Sequence, residues 1–365
     1  MRKSRRRLDY LIFFSCLILV FGVGIAALTS ASSDLGKSQF DDPYHYIKNQ
    51  LLVGVSVGVL GFLAGYAINY RIYKKLAPLI LVGSVGLLLL LFTPLGAASG
   101  GAQRWLLLGP ITIQPSTLLK LTMVLFFAAW LSKHTNIREK SISEGLIPFL
   151  SILGFISTIL LFQNSTSAAF IIGVTVLAMY MASGARWSFL IAIVLISAIL
   201  FAGFVLATPY RYDRIQSFLN PTNDIQGASY QVNQALRVIG SGGLTGVGYG
   251  RSNAKQFLPE RIGDSIFAII AEEFGFIGAM VVVGLFFTLV ISGFLASRKI
   301  KDKFGRLVMV GLSTVIGLQA FVHIASASAL IPATGVPLPF ISYGSFSLAI
   351  FMTMVGIMLN VHKNN

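Results

Sequence analysis

Charged residues are scarce in this sequence, and cysteine is almost missing. Only 11% of the 365 residues are charged, 55% are hydrophobic, and the mean hydropathy is +0.79. This composition excludes an ordinary pair of soluble domains and predicts a membrane protein. The single cysteine, Cys16, excludes an internal disulfide. Because the four histidines are scattered along the chain, the sequence also predicts no protein metal site.

Acidic residues are the scarcer charge type. The chain has 28 Lys and Arg against 13 Asp and Glu, which gives a net charge of +15. An excess of this size can indicate a nucleic-acid partner, but most of the basic residues lie at the ends of apolar runs. Such a distribution follows the positive-inside rule of membrane proteins. We therefore expect a multi-pass membrane protein with both termini in the cytoplasm, and no nucleic-acid partner.

Long apolar runs dominate the chain. A membrane helix needs about 20 mostly apolar residues, and runs of this kind lie at 9–29, 49–69, 77–93, 116–132, 147–162, 166–183, 187–207, 264–297, 306–330 and 343–361. They predict an all-α, polytopic integral membrane protein with about ten transmembrane helices, organised as one membrane domain over residues 1–365. The one long polar segment, 208–263, predicts a large extracytoplasmic loop, and an unstructured loop of this length is unusual unless it is functional.

Two features stand out within this loop. Val232, Ala235, Leu236 and Ile239 recur at helical spacing, which predicts a short amphipathic helix on the outer membrane surface. The run GSGGLTGVGYG at 240–250 follows no strand and lacks a Gly-Lys-Ser/Thr, so it is neither a P-loop nor a dinucleotide-binding motif. Its composition indicates a flexible turn.

Asp264 opens the eighth apolar run, directly after the polar loop. A carboxylate at the boundary between water and hydrocarbon can be tuned to act as a general base. Asp is also a preferred N-cap residue, and it complements the helix dipole. The position alone leaves both roles open.

Three further ionisable residues lie within apolar runs. Glu272 and Glu273 follow Asp264 by about 12 Å along the helix, and His323 occupies a similar depth in the ninth run. Unpaired acids inside a membrane are costly. We therefore expect a structural polar pair between one of these glutamates and His323, with a proton relay as the alternative.

Basic residues gather at two places on the outer side. Arg104, Trp105 and Lys120 belong to the segment 94–120. The loop contributes a second group, Arg211, Arg214, Lys255 and Arg261. A cationic rim would suit a polyanionic, lipid-linked substrate, because several donors can hold its phosphates while its tail stays in the bilayer. The alternatives are a snorkelling lysine, an interfacial tryptophan anchor and simple solvation of the loop.

Five motifs carry a family resemblance over nearly the whole chain. They are RWLLLGPITIQPS at 104–116, RIQSFLNPTNDIQGASYQVNQAL at 214–236, IGSGGLTGVGYG at 239–250, LPERIGDSIFAIIAEEFGFIG at 258–278 and PATGVPLPFISYGSFSL at 332–348. In this order they resemble the SEDS family, which includes RodA, FtsW and SpoVE. The stretch 214–234 is closer to the FtsW-like members.

The resemblance implies an inverting peptidoglycan glycosyltransferase that polymerises lipid II at the outer face of the cytoplasmic membrane, in cell division or cell-shape maintenance. It implies a class B penicillin-binding protein as partner, with Asp264 as the catalytic base. A divalent cation, Mg²⁺ or Mn²⁺, can accompany the pyrophosphate. The substrate-binding residues expected from the motifs and the cationic rim are Lys120, Arg104, Trp105, Arg211, Arg214, Gln231, Gln234, Lys255, Glu260, Arg261, Ser342 and Tyr343.

Several positions depart from the family pattern. Thr117 stands where a glutamate is usual, and Asn164 with Ser165 replaces a Pro-Asp pair. Ile262 and Gly263 replace a His-Thr pair, His323 replaces an Asn, and Ser345 with Phe346 replaces a Gly-Ser pair. These changes affect the electrostatics of the site rather than the fold. The competing functions are a lipid-linked precursor flippase, an O-antigen-ligase-like transferase and a non-catalytic scaffold of the division or elongation complex.

Overall fold

A computed structural model gives the fold of the chain. It describes residues 2–99, 102–108, 111–133, 141–206, 208, 216, 218–219, 230–252 and 254–365. The chain divides into two compact units. The first unit comprises Met1–Val53, Ile196–Leu289 and Gln319–Gly344, and the second comprises Gly54–Leu195, Val290–Leu318 and Ser345–Asn365. The prediction of a single domain concerns how these units fit together and stays a prediction.

The described residues are mainly helical. The helices are α1 (Arg2–Phe40), α2 (His45–Ala67), α3 (Tyr70–Leu89), α4 (Pro115–Leu131), α5 (Ile142–Phe162), α6 (Thr166–Ser183), α7 (Trp187–Leu206), α8 (Tyr230–Ser241), α9 (Ile266–Ser297), α10 (Lys303–Ala327) and α11 (Ser345–Lys363). Among the described residues, 8 helices are long and apolar enough to cross a membrane, and two shorter apolar helices lie at Pro115–Leu131 and Trp187–Ile199. The predicted all-α, polytopic membrane fold is confirmed.

A small antiparallel sheet between α3 and α4 was not predicted from the sequence. It contains β1 (Gly96–Ser99), β2 (Ala102–Leu108) and β3 (Ile111–Ile113), in the order β1-β2-β3. The segment ends where Pro115 begins α4, because proline suits the first turn of a helix. The sheet therefore carries Arg104 and Trp105 on its central strand, β2.

A stripe of glycines joins α2 to α11 in the second unit. Gly54, Gly58, Gly61 and Gly65 repeat every three or four residues on one face of α2, and a Cβ atom at any of them would lie within 3.1 Å of α11. Small residues at this spacing let helix backbones approach closely in membranes. The stripe thus sets the packing of these two helices.

Asn360 of α11 closes the connection between α2 and α3. Its Oδ1 accepts a hydrogen bond from the Tyr70 backbone nitrogen at 2.9 Å, and its Nδ2 donates to the Tyr66 carbonyl at 2.5 Å. Only 2% of Asn360 is exposed. A buried amide in this place satisfies two backbone groups that the helix ends leave without partners.

The core of the first unit lies between α1, α8 and α9. Ala31 packs with Ala235 and Val238 of α8 and with Ala268 and Ile269 of α9. The predicted amphipathic helix is confirmed, but its buried face is different. Ala235 and Val238 face other helices of the protein, and Leu236 is exposed. The expected position of this helix on the outer membrane surface stays a prediction.

Helix α9 is broken at Gly275, which has φ 67° and ψ −169°. The glycine segment 240–250 packs into the break and supplies hydrogen-bond partners to both helix halves. Four backbone hydrogen bonds join them: Val247 to Glu272 O (3.0 Å), Gly248 to Glu273 O (3.0 Å), Phe276 to Gly243 O (2.9 Å) and Ile277 to Leu244 O (3.2 Å). Such bonds are needed because helix ends leave polar backbone groups unpaired.

The close approach explains why glycines lie on both sides of the break. A Cβ atom on Gly246 would lie 2.1 Å from the Glu273 carbonyl oxygen, and one on Gly275 would lie 2.4 Å from the Gly246 nitrogen. Both residues also have positive φ. Residues 240–250 form turns, as predicted, but the segment is packed and hydrogen-bonded against α9.

Candidate active site

Asp264 lies near the end of a tight turn that leads into α9. The carbonyl of Glu260 accepts hydrogen bonds from the backbone nitrogens of Gly263 (3.0 Å) and Ser265 (3.2 Å). Glu260 has φ 48°, a left-handed conformation that is uncommon for a residue with a side chain. The Ser265 hydroxyl donates to the Pro259 carbonyl at 2.9 Å. Local hydrogen bonds thus fix the backbone on both sides of Asp264.

The start of α9 bears on whether Asp264 is an N-cap. The helix begins at Ile266, so Ser265 occupies the flanking position and Asp264 lies one residue further out. The Asp264 side chain is half-buried. A half-buried carboxylate outside a helix start can reach a substrate while the protein still fixes its direction. This arrangement suits general-base chemistry.

A second segment, residues 338–343, is hydrogen-bonded to the turn that contains Asp264 (residues 259–265). The Ser342 hydroxyl donates to the Gly263 carbonyl at 2.7 Å, and the Tyr343 backbone nitrogen donates to the Ile262 carbonyl at 2.9 Å. The Tyr343 phenol accepts a hydrogen bond from Asn49 Nδ2 at 2.8 Å. Burial raises the pKa of the Tyr343 phenol, and this hydrogen bond acts against the rise. The structure therefore brings Ser342, Tyr343 and Asp264 together.

Lys255 points inward rather than towards a cationic rim. Its ammonium lies 3.3 Å from Asp34 Oδ2 and donates to the Ser30 carbonyl at 3.2 Å. Only 5% of Lys255 is exposed. A buried ammonium with these partners ties the loop to the end of α1. The expectation that Lys255 belongs to an exposed cationic rim is therefore wrong.

Arg261 is buried beside the same connection. One of its terminal nitrogens, Nη1, donates to the Lys255 carbonyl at 3.4 Å. Burial lowers the pKa of the Arg261 guanidinium, while the nearby Asp34 and Tyr46 raise it. Arginine stays protonated in proteins, so Arg261 contributes positive charge from inside the loop. The structure does not place it on an exposed rim.

The two glutamates of α9 have hydroxyl partners. Glu273 Oε1 accepts a hydrogen bond from the Ser30 hydroxyl of α1, and Glu272 Oε2 accepts one from the Ser252 hydroxyl of the loop. Both glutamates are buried. They hold α1 and the loop against the first half of α9, at the point where the glycine segment enters the break.

The expected pair between these glutamates and His323 is wrong. The Nδ1 atom of His323 is 2.7 Å from the Val336 carbonyl, and in the described part of the chain its Nε2 has no hydrogen-bond partner. The depth assigned to the glutamates also changes. At 1.5 Å per residue, the part of α9 after Gly275 is about 33 Å long and can span the hydrocarbon core by itself. Glu272 and Glu273 lie before the break, in the short first part of α9 (residues 266–274), which is the part next to Asp264.

The second unit contains three of the predicted substrate-binding residues, Arg104, Trp105 and Lys120. Arg104 and Trp105 are half-buried on β2, and Arg104 Nη2 donates to the Asn164 carbonyl at 2.5 Å. Lys120 lies on α4 with only 4% of its surface exposed. The sheet and α4 thus position one arginine and one buried lysine in the same unit.

The remaining candidates differ in exposure. Gln231 and Gln234 are half-buried on α8, and Glu260 is exposed on the Asp264 turn. Arg211 and Arg214 lie outside the described residues. Across the described residues, no group of three or more His, Cys, Asp and Glu side chains could hold a metal ion.

Comparison with known proteins identifies the family. The family model for FtsW, RodA and SpoVE, which is described as "Cell cycle protein", matches residues 10–365. The chain belongs to this family. It is 34% identical over 361 residues to the probable peptidoglycan glycosyltransferase FtsW of Geobacter metallireducens, covering 98% of this chain and 96% of that protein. It is 36% identical over 349 residues to the stage V sporulation protein E of Bacillus subtilis, covering 95% and 94%.

Solved structures support the same fold. One, described as "Structural coordination of polymerization and crosslinking by a peptidoglycan synthase complex", matches with a TM-score of 0.79 and 25% identity, covering 96% of this chain and 97% of that chain. The rod shape determining protein RodA of Thermus thermophilus matches with a TM-score of 0.70 and 23% identity, covering 97% and 96%. The chain therefore shares its fold with these two proteins.

Three of the residues that depart from the family pattern make structural contacts. Thr117 Oγ1 donates to Gln114 Oε1 at 2.8 Å, at the start of α4. Asn164 adopts φ 55° and presents its carbonyl to Arg104. His323 fixes the Val336 carbonyl. At these positions the chain makes local structural contacts, through the side chains of Thr117 and His323 and through the backbone of Asn164.

Sequence reasoning missed several residues of the first unit that surround the site. Ser30 and Asp34 were missed because the apolar run ends near residue 29, whereas α1 continues to Phe40. Ser252 and Asn49 were missed because their partners are far away in the sequence. The available signal was the lack of any Gly or Pro between residues 29 and 36.

Proposed function

We propose that the chain is a peptidoglycan glycosyltransferase that polymerises lipid II into glycan strands at the outer face of the bacterial cytoplasmic membrane. Membership of the family over residues 10–365 supports this activity, since relatives covering nearly the whole chain are named for it. The observation that carries the proposal is Asp264. It is half-buried on a turn that is braced by a second segment, at the position that matches the essential aspartate of the family motif.

Asp264 acts as the general base of an inverting transfer. Its carboxylate takes the proton from the 4-hydroxyl of the acceptor sugar as that oxygen attacks the anomeric carbon of the donor. A new glycosidic bond forms, the bond to the pyrophosphate breaks, and undecaprenyl pyrophosphate leaves with the electron pair. The donor needs no nucleotide, because its pyrophosphate already activates it.

The substrate's pyrophosphate requires positive charge near the site. On the basis of the sequence motifs, we assign this role to Arg104, Lys120, Arg211 and Arg214. Lys255 and Arg261 are removed from it, because their charged groups already have partners within the first unit: Lys255 contacts Asp34, and Arg261 donates to the Lys255 carbonyl. A divalent cation, Mg²⁺ or Mn²⁺, would arrive on the oxygens of the pyrophosphate and neutralise the charge that develops on the leaving group.

The proposed partner is a class B penicillin-binding protein that cross-links the new strands. The matched synthase complex, which is described as coordinating polymerisation with crosslinking, supports this assignment.

The proposed topology can be tested with tags. With both termini in the cytoplasm, tags near Gly36 and Asn223 should be accessible from outside, and tags near Lys301 and at the C-terminus from inside. A cytoplasmic tag at Asn223 would place the polar loop on the wrong side for this reaction.

The decisive experiment compares Asp264→Asn with the wild-type protein. Asparagine keeps the size and hydrogen-bonding capacity of the side chain but is a poor proton acceptor, so strand synthesis should fall by a factor of about 10²–10⁴. Lipid II binding should persist, because the pyrophosphate is assigned to other residues. Both quantities are measured on the same purified protein in liposomes, with the partner penicillin-binding protein present and absent.

Asp42→Asn is the matched control. Asp42 is another carboxylate outside the apolar runs, bound to Lys48 at 2.7 Å, and its replacement should leave synthesis unchanged. Wild-type synthesis by Asp264→Asn would refute the general-base role. Movement of lipid II across the liposome membrane without strand formation would instead favour the flippase alternative. Joint loss of binding and synthesis in Asp264→Asn would point to a structural aspartate.

A further inference from the structure

The Ser342 hydroxyl uses its hydrogen bonds to join two backbone segments. It accepts a hydrogen bond from the Leu338 nitrogen at 2.8 Å and donates to the Gly263 carbonyl at 2.7 Å. Only 6% of Ser342 is exposed. A hydroxyl with one donated and one accepted bond retains little capacity for another partner. The expectation that Ser342 binds substrate therefore conflicts with its geometry.

The bonded carbonyl belongs to the peptide group that links Gly263 to Asp264. A peptide group is planar, so fixing its oxygen also fixes the direction of the Asp264 nitrogen. The preceding peptide group is held as well, because the Tyr343 nitrogen donates to the Ile262 carbonyl at 2.9 Å. Two consecutive peptide planes before Asp264 are thus held by two consecutive residues of another segment.

Gly263 makes this external support necessary. Glycine is the residue with the greatest backbone freedom. A Cβ atom placed on Gly263 would have no neighbour closer than 3.7 Å, so side-chain packing does not limit its conformation. The hydrogen bonds on its two sides supply the missing restraint.

The supporting segment is itself anchored to α10. Gln319 Nε2 donates to the Pro337 carbonyl at 3.0 Å, and His323 Nδ1 lies 2.7 Å from the Val336 carbonyl. The turn closes with Phe340 at φ 65° and with a hydrogen bond from the Ser342 nitrogen to the Leu338 carbonyl at 3.0 Å. A continuous series of hydrogen bonds therefore runs from α10 to the residue before Asp264.

We propose that Ser342 is a positioning residue, whose hydroxyl aligns Asp264 for proton abstraction by fixing the Gly263 carbonyl. The inference rests on the proposed function, since it assigns the reacting group to Asp264. Ser342 does not contact the substrate. Its effect reaches the reaction through the direction of the Asp264 carboxylate.

The test measures kcat and KM for lipid II polymerisation by the Ser342→Ala protein. Misplacing a catalytic group by about 1 Å can cost about 10²-fold in rate, so kcat should fall about 10- to 100-fold while KM stays within about twofold. A substrate-binding serine would show the opposite pattern, a raised KM with kcat kept. That pattern would overturn the proposal.

Two further variants separate positioning from general loosening of the segment. Ser326→Ala removes another hydroxyl bond to the same connection, because Ser326 Oγ accepts from the Thr334 nitrogen at 3.0 Å, far along the chain from Ser342. It should keep wild-type kcat, and an equal fall in both variants would refute the proposal. Ser342→Cys preserves the side-chain shape with weaker hydrogen bonds, so it should show an intermediate kcat. It carries the test if the alanine variant does not fold.

A double variant links the effect to Asp264. In an Asp264→Asn background, Ser342→Ala should lower the residual rate by less than about twofold, because there is no longer a base to align. A full 10-fold loss in that background would overturn the positioning role. The outcomes also separate the two proposals. Wild-type activity of Asp264→Asn would reject the catalytic base, whereas an inactive Asp264→Asn with an unaffected Ser342→Ala would reject only the positioning role.

Discussion

The break in α9 makes a quantitative prediction about Gly275→Ala. Gly275 has φ 67° and ψ −169°, a region that is essentially confined to glycine, so an alanine there costs about 1–3 kcal/mol in backbone strain. Its Cβ would also lie 2.4 Å from the Gly246 nitrogen and 2.5 Å from the Leu244 oxygen. These neighbours are backbone atoms of a packed segment and cannot rotate away. Overpacking of this kind adds about 1–3 kcal/mol, which gives a total of about 2–6 kcal/mol.

Gly284→Ala is the matched control in the same helix. A Cβ atom on Gly284 would have no neighbouring atom within 4 Å, and this residue lies in the regular part of α9. Alanine there should be neutral or should stabilise the helix by up to about 1 kcal/mol. The pair therefore compares identical substitutions that differ only in backbone conformation and available space.

The assay is thermal unfolding of the purified protein in detergent, followed by loss of the monodisperse species. At roughly 2 °C per kcal/mol, Gly275→Ala should lower the apparent Tm by about 4–12 °C, whereas Gly284→Ala should not lower it. Equal apparent Tm values for the two variants would refute the reasoning, because they would mean that the glycine segment does not pack into the break.

Two further predictions concern buried polar contacts. Asp34→Asn should destabilise the protein more than Lys255→Met. The Lys255 side chain is 6% exposed and that of Asp34 is 50% exposed, so only Asp34→Asn leaves a buried charge without its counter-ion. Chemical denaturation measures both free energies of unfolding, and the reverse order would contradict the assignment. Asn360→Leu should cost about 2–5 kcal/mol, since it leaves two buried backbone groups without partners. In the same measurement, a loss of less than about 0.5 kcal/mol, the usual effect of a surface substitution, would show that Asn360 does not close the connection.

The apolar runs were sufficient to predict the membrane helices. Each of the ten predicted runs overlaps one of the helices α1–α7 and α9–α11, because membrane insertion depends on the length and apolarity of a local segment. The helix bounds were less accurate. The run from 264 to 297 gave no sign that α9 breaks, since Gly275 resembles the other glycines that membrane helices tolerate.

The site was predictable only in part. Asp264 stood out because it is a charged residue that lies near a helix start and within a family motif. The roles of Lys255 and Arg261 were not predictable, because composition shows how many cations a loop has but not which way they point. The pairing of Glu272 and Glu273 with Ser30 and Ser252 depends on contacts between segments that are distant in the sequence.

The sequence by itself determined the membrane class, the number of apolar helices, the amphipathic nature of α8 and the family, because these properties depend on local composition and on motifs. Only the tertiary structure decided that the glycine segment fills the break in α9, that Lys255 binds Asp34, and that Ser342 holds the peptide before Asp264. The physical reason is that a hydrogen bond is directional and acts over about 3 Å. Its partners are set by how the helices pack, which no local pattern of residues specifies.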